Sequence, residues 1–364
     1  MGQFIWHIGD TEVNVKTEII RIDMQNIDLA KIRHVAQVLK NGGLVAFPTE
    51  TVYGLGANAL NEKAVGNIFK AKGRPSDNPL IVHVSDRSEV NALVSDMPSD
   101  AVKLMDRFWP GPLTIIMNKS EAVPYTVTAG IETVAVRMPS HPVALSLIHE
   151  AGVPVAAPSA NSSGKPSPTS AQHVIEDLSG KVDVIVDAGY ASVGLESTVI
   201  DLTSDKPVIL RPGGITYEQL EKVLGSVSID PAIMEKPGEN LKPKSPGMKY
   251  KHYSPKAEVI VIEGRPEDIV QKIVSMKKDY ESRGILAGIL ATDQTAQMYE
   301  GGPVISAGDR DRPETIANSL FGMLREFDSI GVGVILAEAV DTNGIGLAIM
   351  NRMNKAAGYH IIKA

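Results

Sequence analysis

Short runs of β-branched and apolar residues alternate with segments of helical periodicity along most of this chain. Runs with the length and composition of strands lie at residues 44–47, 80–84, 113–117, 133–137, 153–157, 182–186, 198–202 and 208–210. Segments 29–39 and 61–71 carry apolar residues at helical spacing and end close to glycines. This alternation predicts an α/β fold. Strand runs that follow one another directly between residues 183 and 210 predict a mixed sheet, not a purely parallel one.

The pattern changes after residue 226. Residues 235–252 lack apolar periodicity and hold five lysines and three prolines, which is typical of a linker. A second, smaller pattern follows, with strand runs at 258–262, 284–290, 303–306 and 332–336 and helical segments at 266–282, 313–327 and 346–357. We predict a first domain over residues 1–226, a Pro/Lys-rich linker over 227–256 and a small Rossmann-like α/β domain over 257–364.

Composition excludes several classes of protein. The chain has no cysteine, which rules out disulfides, thiolate metal sites and cysteine nucleophiles. Its formal net charge of -7 is unlike that of a protein that binds nucleic acid over its whole surface, although a weak local RNA contact stays open. Because no stretch reaches the ~18 apolar residues of a membrane span, we expect a cytoplasmic protein with no membrane association.

Polar, glycine- and proline-rich segments follow several of the predicted strands, with the densest concentration at residues 47–79. Ligands of open α/β sheets bind at strand ends, so these segments predict a shared pocket. In the basic turn at 70–79, Arg74 suits a polyphosphate, whereas the helix dipole alone explains Lys70 and Lys72. Two alternatives stay open here: His83 as a core residue, and Arg137 as the partner of a structural aspartate.

Standard nucleotide and hydrolase motifs do not account for the chain. Gly164-Lys165 is followed by proline and lacks the upstream glycine of a P-loop. GLGANA (54–59) formally matches a dinucleotide fingerprint, but it begins six residues after its strand and Asp77 lies in the basic turn. No serine elbow, zinc-binding helix or carboxylate pair stands out.

Taken together and in order, many segments resemble the YrdC-like family, and more narrowly its long, two-domain form, the threonylcarbamoyl-AMP synthases. The matching motifs are PTETVYGLG (48–56), KAKGRP (70–75), NPLIVH (78–83), WPGPLT (109–114), VRMP (136–139), APSANSSG (157–164), ESTV (196–199), LRPG (210–213), SPGMKYKHYSP (245–255) and GIGLAIMNR (344–352). The resemblance implies a YrdC-like twisted open mixed sheet with helices, followed by a Rossmann-like C-terminal domain.

The resemblance also implies a nucleotidyltransferase reaction in which L-threonine, bicarbonate or CO2, and ATP give threonylcarbamoyl-AMP and pyrophosphate. The product would pass to the machinery that attaches threonylcarbamoyl to the tRNA adenosine beside the anticodon. Since the carbamate of threonine is itself an anionic nucleophile, this chemistry demands positioning and charge neutralisation, not an activated side chain. Mg²⁺ is expected with the ATP phosphates, and no metal-binding side chains are expected.

Matched residue by residue, the family implies two sets of contacts. L-threonine would be held by Thr51, His83, Arg137, Ala157 (main chain) and Ser197. ATP would be held by Arg74, Asn78, Thr133, Ser159, Ser167, Arg211 and Tyr250, with Lys72 as a further phosphate candidate. The segment around Tyr250 would close over the pocket as a lid that excludes water from the labile product.

Two other functions share this domain. An RNA-binding or ribosome-maturation module would bind RNA with steep salt dependence and would not consume ATP. A carbamoyltransferase of hydrogenase maturation would carry cysteine zinc fingers, which this chain lacks. In the second domain, we expect residues 344–351 to form the turn at the start of a helix, with no ligand of its own.

Overall fold

The computed structural model describes residues 15–233 and 253–364. Within the first range, eleven strands form one sheet: β1 (Glu18–Arg21), β2 (Val45–Phe47), β3 (Gly54–Asn58), β4 (Ile81–His83), β5 (Leu113–Asn118), β6 (Thr133–Arg137), β7 (Val155–Ala156), β8 (Val184–Asp187), β9 (Thr198–Asp201), β10 (Val208–Arg211) and β11 (Ser228–Ile229). The helices of this range are α1 (Leu29–Lys40), α2 (Glu62–Lys72), α3 (Ser99–Phe108), α4 (Tyr125–Thr128), α5 (Pro142–Ala151), α6 (Ala171–Leu178) and α7 (Tyr217–Leu224), with 3₁₀ turns at Arg87–Ala92 and Pro231–Ile233.

The second range forms a five-stranded parallel sheet with three helices. Its elements are β12 (Glu258–Glu263), α8 (Pro266–Ser282), β13 (Ala287–Ala291), a 3₁₀ turn at Ala296–Met298, β14 (Val304–Ser306), α9 (Pro313–Ile330), β15 (Val334–Glu338), α10 (Gly346–Ala356) and β16 (Ile361–Lys363). In the strand order β14-β13-β15-β12-β16, the chain moves toward one edge of the sheet from β12 to β14 and toward the other edge from β14 to β16. This is the doubly wound topology of a Rossmann-like domain, as the sequence predicts.

The large sheet is mixed, as predicted. Its order is β1-β8-β2-β3-β7-β4-β6-β5-β9-β10-β11, and five of the ten neighbouring pairs are parallel. Of the direct pairings expected between residues 183 and 210, the antiparallel β9–β10 pair is present. The expected pairing of the strand at 182–186 with the strand at 198–202 is wrong, because β8 lies near the opposite edge of the sheet, between β1 and β2.

Alternate residues of β2 pack on opposite faces of the large sheet, as the two-residue period of a strand requires. Val45 and Phe47 belong to the apolar cluster with α1 and α5, whereas Leu44 and Ala46 join the larger cluster on the other face.

Sequence signals mark both ends of helix α2. Asn61 caps α2 by accepting from the Ala64 amide, and Gly73 ends it in the left-handed conformation.

The two domains pack directly on each other. Val52 and Leu195 of the first domain belong to the same apolar cluster as Tyr253 and Phe321. At Gly194, which has a φ of +80°, a Cβ atom would lie 2.4 Å from the Asn318 Cα, so only glycine permits this approach. Of the predicted linker, residues 234–252 lie outside the described residues, while β11 near its start pairs with β10.

Candidate active site

A cleft lies where several segments of the large sheet end. β4 and β6 are parallel neighbours, and their register pairs His83 with Arg137 at the carboxyl ends of both strands. The turn between β2 and β3 and the segment after β7 complete this part of the cleft. The lining includes many of the predicted residues: Thr51, Arg74, His83, Arg137, Ala157, Ser159, Ser167 and Arg211.

Arg137 is buried, and its guanidinium meets three groups of the chain. One terminal nitrogen donates to Thr51 Oγ1 at 2.9 Å, and Nε donates to the Gly111 carbonyl at 3.3 Å. The other terminal nitrogen lies 2.7 Å from Glu50 Oε1 in a buried ion pair. A carboxylate partner of Arg137 therefore exists, but it is a glutamate, not the aspartate considered from sequence. Each terminal nitrogen carries a second N–H, so the guanidinium keeps capacity to bind a ligand carboxylate.

His83 lies beside Arg137 in an environment that keeps its ring uncharged. The ring is only 4% exposed and stands edge-on to Phe47, with the ring centroids 6.2 Å apart. Burial, and to a lesser degree the charge of Arg137, lowers the pKa of His83 to about 3. Nδ1 has no hydrogen-bond partner among the described residues. A neutral imidazole with an open nitrogen can exchange a hydrogen bond with a small polar ligand without adding charge.

The basic turn after α2 places Arg74 on the cleft and Asn78 behind it. An Arg74 terminal nitrogen donates to the Asn78 carbonyl at 3.3 Å. The Asn78 side chain is fully buried, and neither of its amide atoms has a partner in the described part of the chain. Buried amides without partners are rare because they cost free energy, and they often mark ligand contacts.

Lys72 supports the cleft from outside it. Its buried ammonium donates to the carbonyls of Ser159 and Asn161 and to Asn161 Oδ1. A lysine has three donors, and these three acceptors use all of them. Burial, with a contribution from Arg74, lowers the pKa of Lys72 well below its ordinary value. Lys72, the further phosphate candidate, thus holds the 159–167 loop, and it is not among the residues that line the cleft.

Arg211 and Ser197 form a second buried cluster at the cleft. Nε of Arg211 donates to the Ser197 carbonyl and a terminal nitrogen donates to Ser197 Oγ, each at 3.0 Å. Ser197 Oγ also lies 2.7 Å from Thr114 Oγ1. Ser197, predicted to contact threonine, is therefore in contact with Arg211, which lines the cleft, while Ser197 itself does not.

Besides Asn78 and the phosphate candidate Lys72, Thr133 is a predicted ATP contact that does not line this cleft. Thr133 begins β6, four residues before Arg137, which corresponds to roughly 13 Å along a strand. It pairs with Asn118 and is not among the lining residues. Tyr250 lies outside the described residues. The ATP roles of both remain predictions.

Comparison with known proteins agrees with this architecture. A family model described as telomere recombination matches residues 37–213, and one described as threonylcarbamoyl-AMP synthase, C-terminal domain, matches 215–358. The threonylcarbamoyl-AMP synthases of Pyrococcus abyssi and Bacillus subtilis are each 51% identical to this chain, over 93% and 92% of it and over 97% and 94% of their own lengths. The chain belongs to the threonylcarbamoyl-AMP synthase family.

Among solved structures, that of P. abyssi Sua5 complexed with L-threonine matches with a TM-score of 0.90 and 50% identity, covering 96% of this chain and 99% of that one. The family resemblance and the fold expected from the sequence are thus confirmed. In residues 15–233 and 253–364, no helix is long and apolar enough to cross a membrane. The same residues contain no group of three or more His, Asp or Glu side chains that could hold a metal ion.

Sequence reasoning missed the acidic members of this candidate site. Glu50 pairs with Arg137, and Glu196 lines the cleft while accepting a hydrogen bond from Ser167. Both glutamates stand inside motifs that were recognised, at PTETVYGLG and ESTV. The signal available was a carboxylate next to a predicted ligand contact, Thr51 in one motif and Ser197 in the other.

Proposed function

We propose that this chain is an L-threonylcarbamoyladenylate synthase, a nucleotidyltransferase that condenses L-threonine, bicarbonate or CO2, and ATP to threonylcarbamoyl-AMP and pyrophosphate. The observation that carries the proposal is the convergence of Arg137, Thr51 and His83 with Arg74 and Arg211 in one cleft. Membership of the threonylcarbamoyl-AMP synthase family supports it independently.

The reaction consists of two bond-forming steps. The amine of threonine adds to CO2 with release of a proton, or to bicarbonate with loss of water, and either route leaves a carbamate. A carbamate oxygen then attacks the α-phosphorus of ATP, the bond from that phosphorus to the bridging oxygen breaks, and pyrophosphate leaves. Because the carbamate is already an anion, the protein has to align it with the phosphorus and offset the charge of the phosphates.

The inner end of the cleft suits threonine. Arg137 would bind its carboxylate through the remaining N–H groups, and Thr51 Oγ1, held 2.9 Å from Arg137, lies beside that position. The neutral ring of His83 would contact the hydroxyl group. Arg137 and Glu50 together carry no net charge, which matches a zwitterionic amino acid better than a simple anion. The Ala157 main chain and Ser197 complete the proposed threonine set.

The nucleotide would occupy the rest of the cleft. Arg74 and Arg211 supply charge for the phosphates, Ser159 and Ser167 supply hydroxyl groups, and the buried Asn78 amide supplies a donor and an acceptor. Mg²⁺ would arrive bound to the phosphates of ATP and offset part of their charge. The product would be consumed by the enzyme machinery that transfers threonylcarbamoyl to tRNA adenosine next to the anticodon.

The test is pyrophosphate release from ATP by the full chain with Mg²⁺, measured with threonine and bicarbonate present or withheld singly. We expect release only when both are present, and threonylcarbamoyl-AMP as the other product by mass spectrometry. Release that does not depend on threonine would refute the proposal. Glycine in place of threonine serves as the matched control, because it lacks the hydroxyl that His83 would contact.

A further inference from the structure

Arg352, in α10 of the second domain, is fully buried against the first domain. Its Nε donates to Glu196 Oε2 at 2.8 Å, and a terminal nitrogen donates to Asn351 Oδ1 at 3.0 Å. The guanidinium carbon lies 5.6 Å from the centre of the Tyr253 ring. Even with a carboxylate partner, a fully buried guanidinium adds little net stability, because its desolvation offsets the attraction. Domain packing alone therefore does not account for this ion pair.

Glu196 connects Arg352 to the cleft. The second oxygen of its carboxylate, Oε1, accepts a hydrogen bond from Ser167 Oγ, and both residues line the cleft. Burial alone would raise the pKa of Glu196, but the charges of Arg352 and Arg211 outweigh it and lower the pKa to about 2. The carboxylate is therefore ionised at neutral pH, and it orients the Ser167 hydroxyl.

Without Arg352, a buried carboxylate would face the part of the cleft proposed to hold a polyphosphate. Two consequences follow from the charges. Glu196 would repel the anionic ligand. It would also attract the guanidinium of Arg211 away from Ser197, to which that guanidinium donates in the structure. Repulsion acts on the nucleotide end of the cleft. A shift of Arg211 would reach the threonine set only through Ser197, because the contacts of Arg137 with Thr51, Gly111 and Glu50 involve neither Glu196 nor Arg352.

We infer that Arg352 is a positioning residue for the ATP subsite, through which the second domain completes the nucleotide end of the first domain's cleft. This inference rests on the proposed function. It also gives a role to the GIGLAIMNR segment at 344–352. Gly344 lies in the turn before α10, but residues 346–351, expected from the sequence to belong to that turn, already form the helix that carries Arg352.

The experiment compares Arg352→Met with Asn318→Ala in the full chain. Asn318 also joins the domains, donating to the carbonyls of Ala191 and Ser192, but it has no contact with Glu196. For Arg352→Met we expect the KM for ATP to rise about tenfold or more, with the KM for threonine changed less than about twofold. Arg352→Lys should recover part of the loss, because an ammonium still offsets Glu196. Asn318→Ala should leave both KM values within about twofold.

Equal rises in both KM values, or an ATP defect in Asn318→Ala as large as that of Arg352→Met, would overturn the inference in favour of simple domain packing. If Arg352→Met does not fold, the double variant Arg352→Met/Glu196→Gln removes the carboxylate that Arg352 offsets together with Arg352 itself. Because the repelling charge is gone and the amide oxygen can still accept from Ser167, its KM for ATP should lie within about threefold of wild type; a rise of about tenfold would overturn the inference, since the loss would then not depend on the Glu196 charge. Calorimetric titration with ATP separates the two proposals. If the wild-type protein shows no threonine-dependent turnover, the proposed function is refuted. If Arg352→Met then still binds ATP more weakly than wild type, the positioning role of Arg352 is supported.

Discussion

Replacing Gly213 with alanine adds one methyl group where the turn after β10 packs against the chain entering β9. The new Cβ would lie 2.3 Å from the Thr198 amide nitrogen, 2.4 Å from the Glu196 carbonyl oxygen and 2.5 Å from the Ser197 carbonyl carbon. All three are backbone atoms, so no side chain can rotate away. Ordinary contact begins at 3.4 Å, and one of the two backbone segments therefore has to move by about 1 Å.

Overpacking of this kind costs about 1–3 kcal/mol of stability. The displaced segment carries Ser197 and Glu196, and the turn follows Arg211 directly, so the same shift reaches the nucleotide end of the cleft. A misplacement of about 1 Å can lower a rate by roughly 100-fold. We therefore expect Gly213→Ala to lose about 2 kcal/mol in free energy of unfolding and roughly 100-fold in kcat/KM for ATP.

Gly66→Ala is the matched control, since the same methyl group is added inside α2 with no atom within 4 Å. Alanine is the better helix residue, so this variant should gain about 0.5–1 kcal/mol and keep its activity. Urea unfolding and pyrophosphate release measure the two quantities. Wild-type stability in Gly213→Ala would refute the packing argument, and lost stability with full activity would show that the 196–198 segment does not shape the site.

Three further predictions follow from the cleft. Arg137→Ala should raise the KM for threonine at least tenfold more than the KM for ATP by initial-rate kinetics, and equal effects would contradict its proposed role. Lys72→Met, which strips the donor from three acceptors of the 159–167 loop, should cost about 2–4 kcal/mol by urea unfolding and raise the KM for ATP; wild-type values would show that the loop holds itself. Because the pKa of His83 is lowered from 6.5 to about 3, its contribution to stability is complete above pH 6.5 and lost as the pH falls toward 3. His83→Asn should flatten this part of the stability profile, and a slope like that of wild type would contradict the assignment.

The sequence predicts elements best where one pattern is strong. Helix α8 (Pro266–Ser282) and strand β6 (Thr133–Arg137) occupy the predicted residues because periodicity and end signals agree. Strand β3 (Gly54–Asn58) was not expected, since a glycine-rich segment has low strand propensity. It forms because β2 and β7 supply hydrogen-bond partners on both sides. Glycine is required in it, because a Cβ at Gly56 would lie only 2.7 Å from the Phe47 ring. Both reasons are tertiary.

The sequence identifies the cations of the site, but the residues around them do not show which cation lines the cleft and which one supports it. Lys72 and Arg74 stand two residues apart in one basic turn. Lys72 belongs to the last turn of α2, which directs its ammonium onto loop carbonyls, whereas Arg74 lies beyond the helix and reaches the cleft. The partners of the arginines are equally hidden, because Glu50 meets Arg137 and Glu196 meets Arg352 only after the chain has folded.

A site that relies on positioning depends on how firmly its walls are held, and here the second domain holds one wall. The 159–167 loop carries two of the proposed ATP contacts, Ser159 and Ser167. Arg325 of α9 donates to the Pro166 carbonyl at 2.6 Å and pairs with Asp177, and Ser254 donates to the Gly164 carbonyl at 3.0 Å. Because a displacement of about 1 Å is enough to slow such a reaction by roughly 100-fold, we expect these contacts between the domains to affect the proposed reaction without touching the substrates.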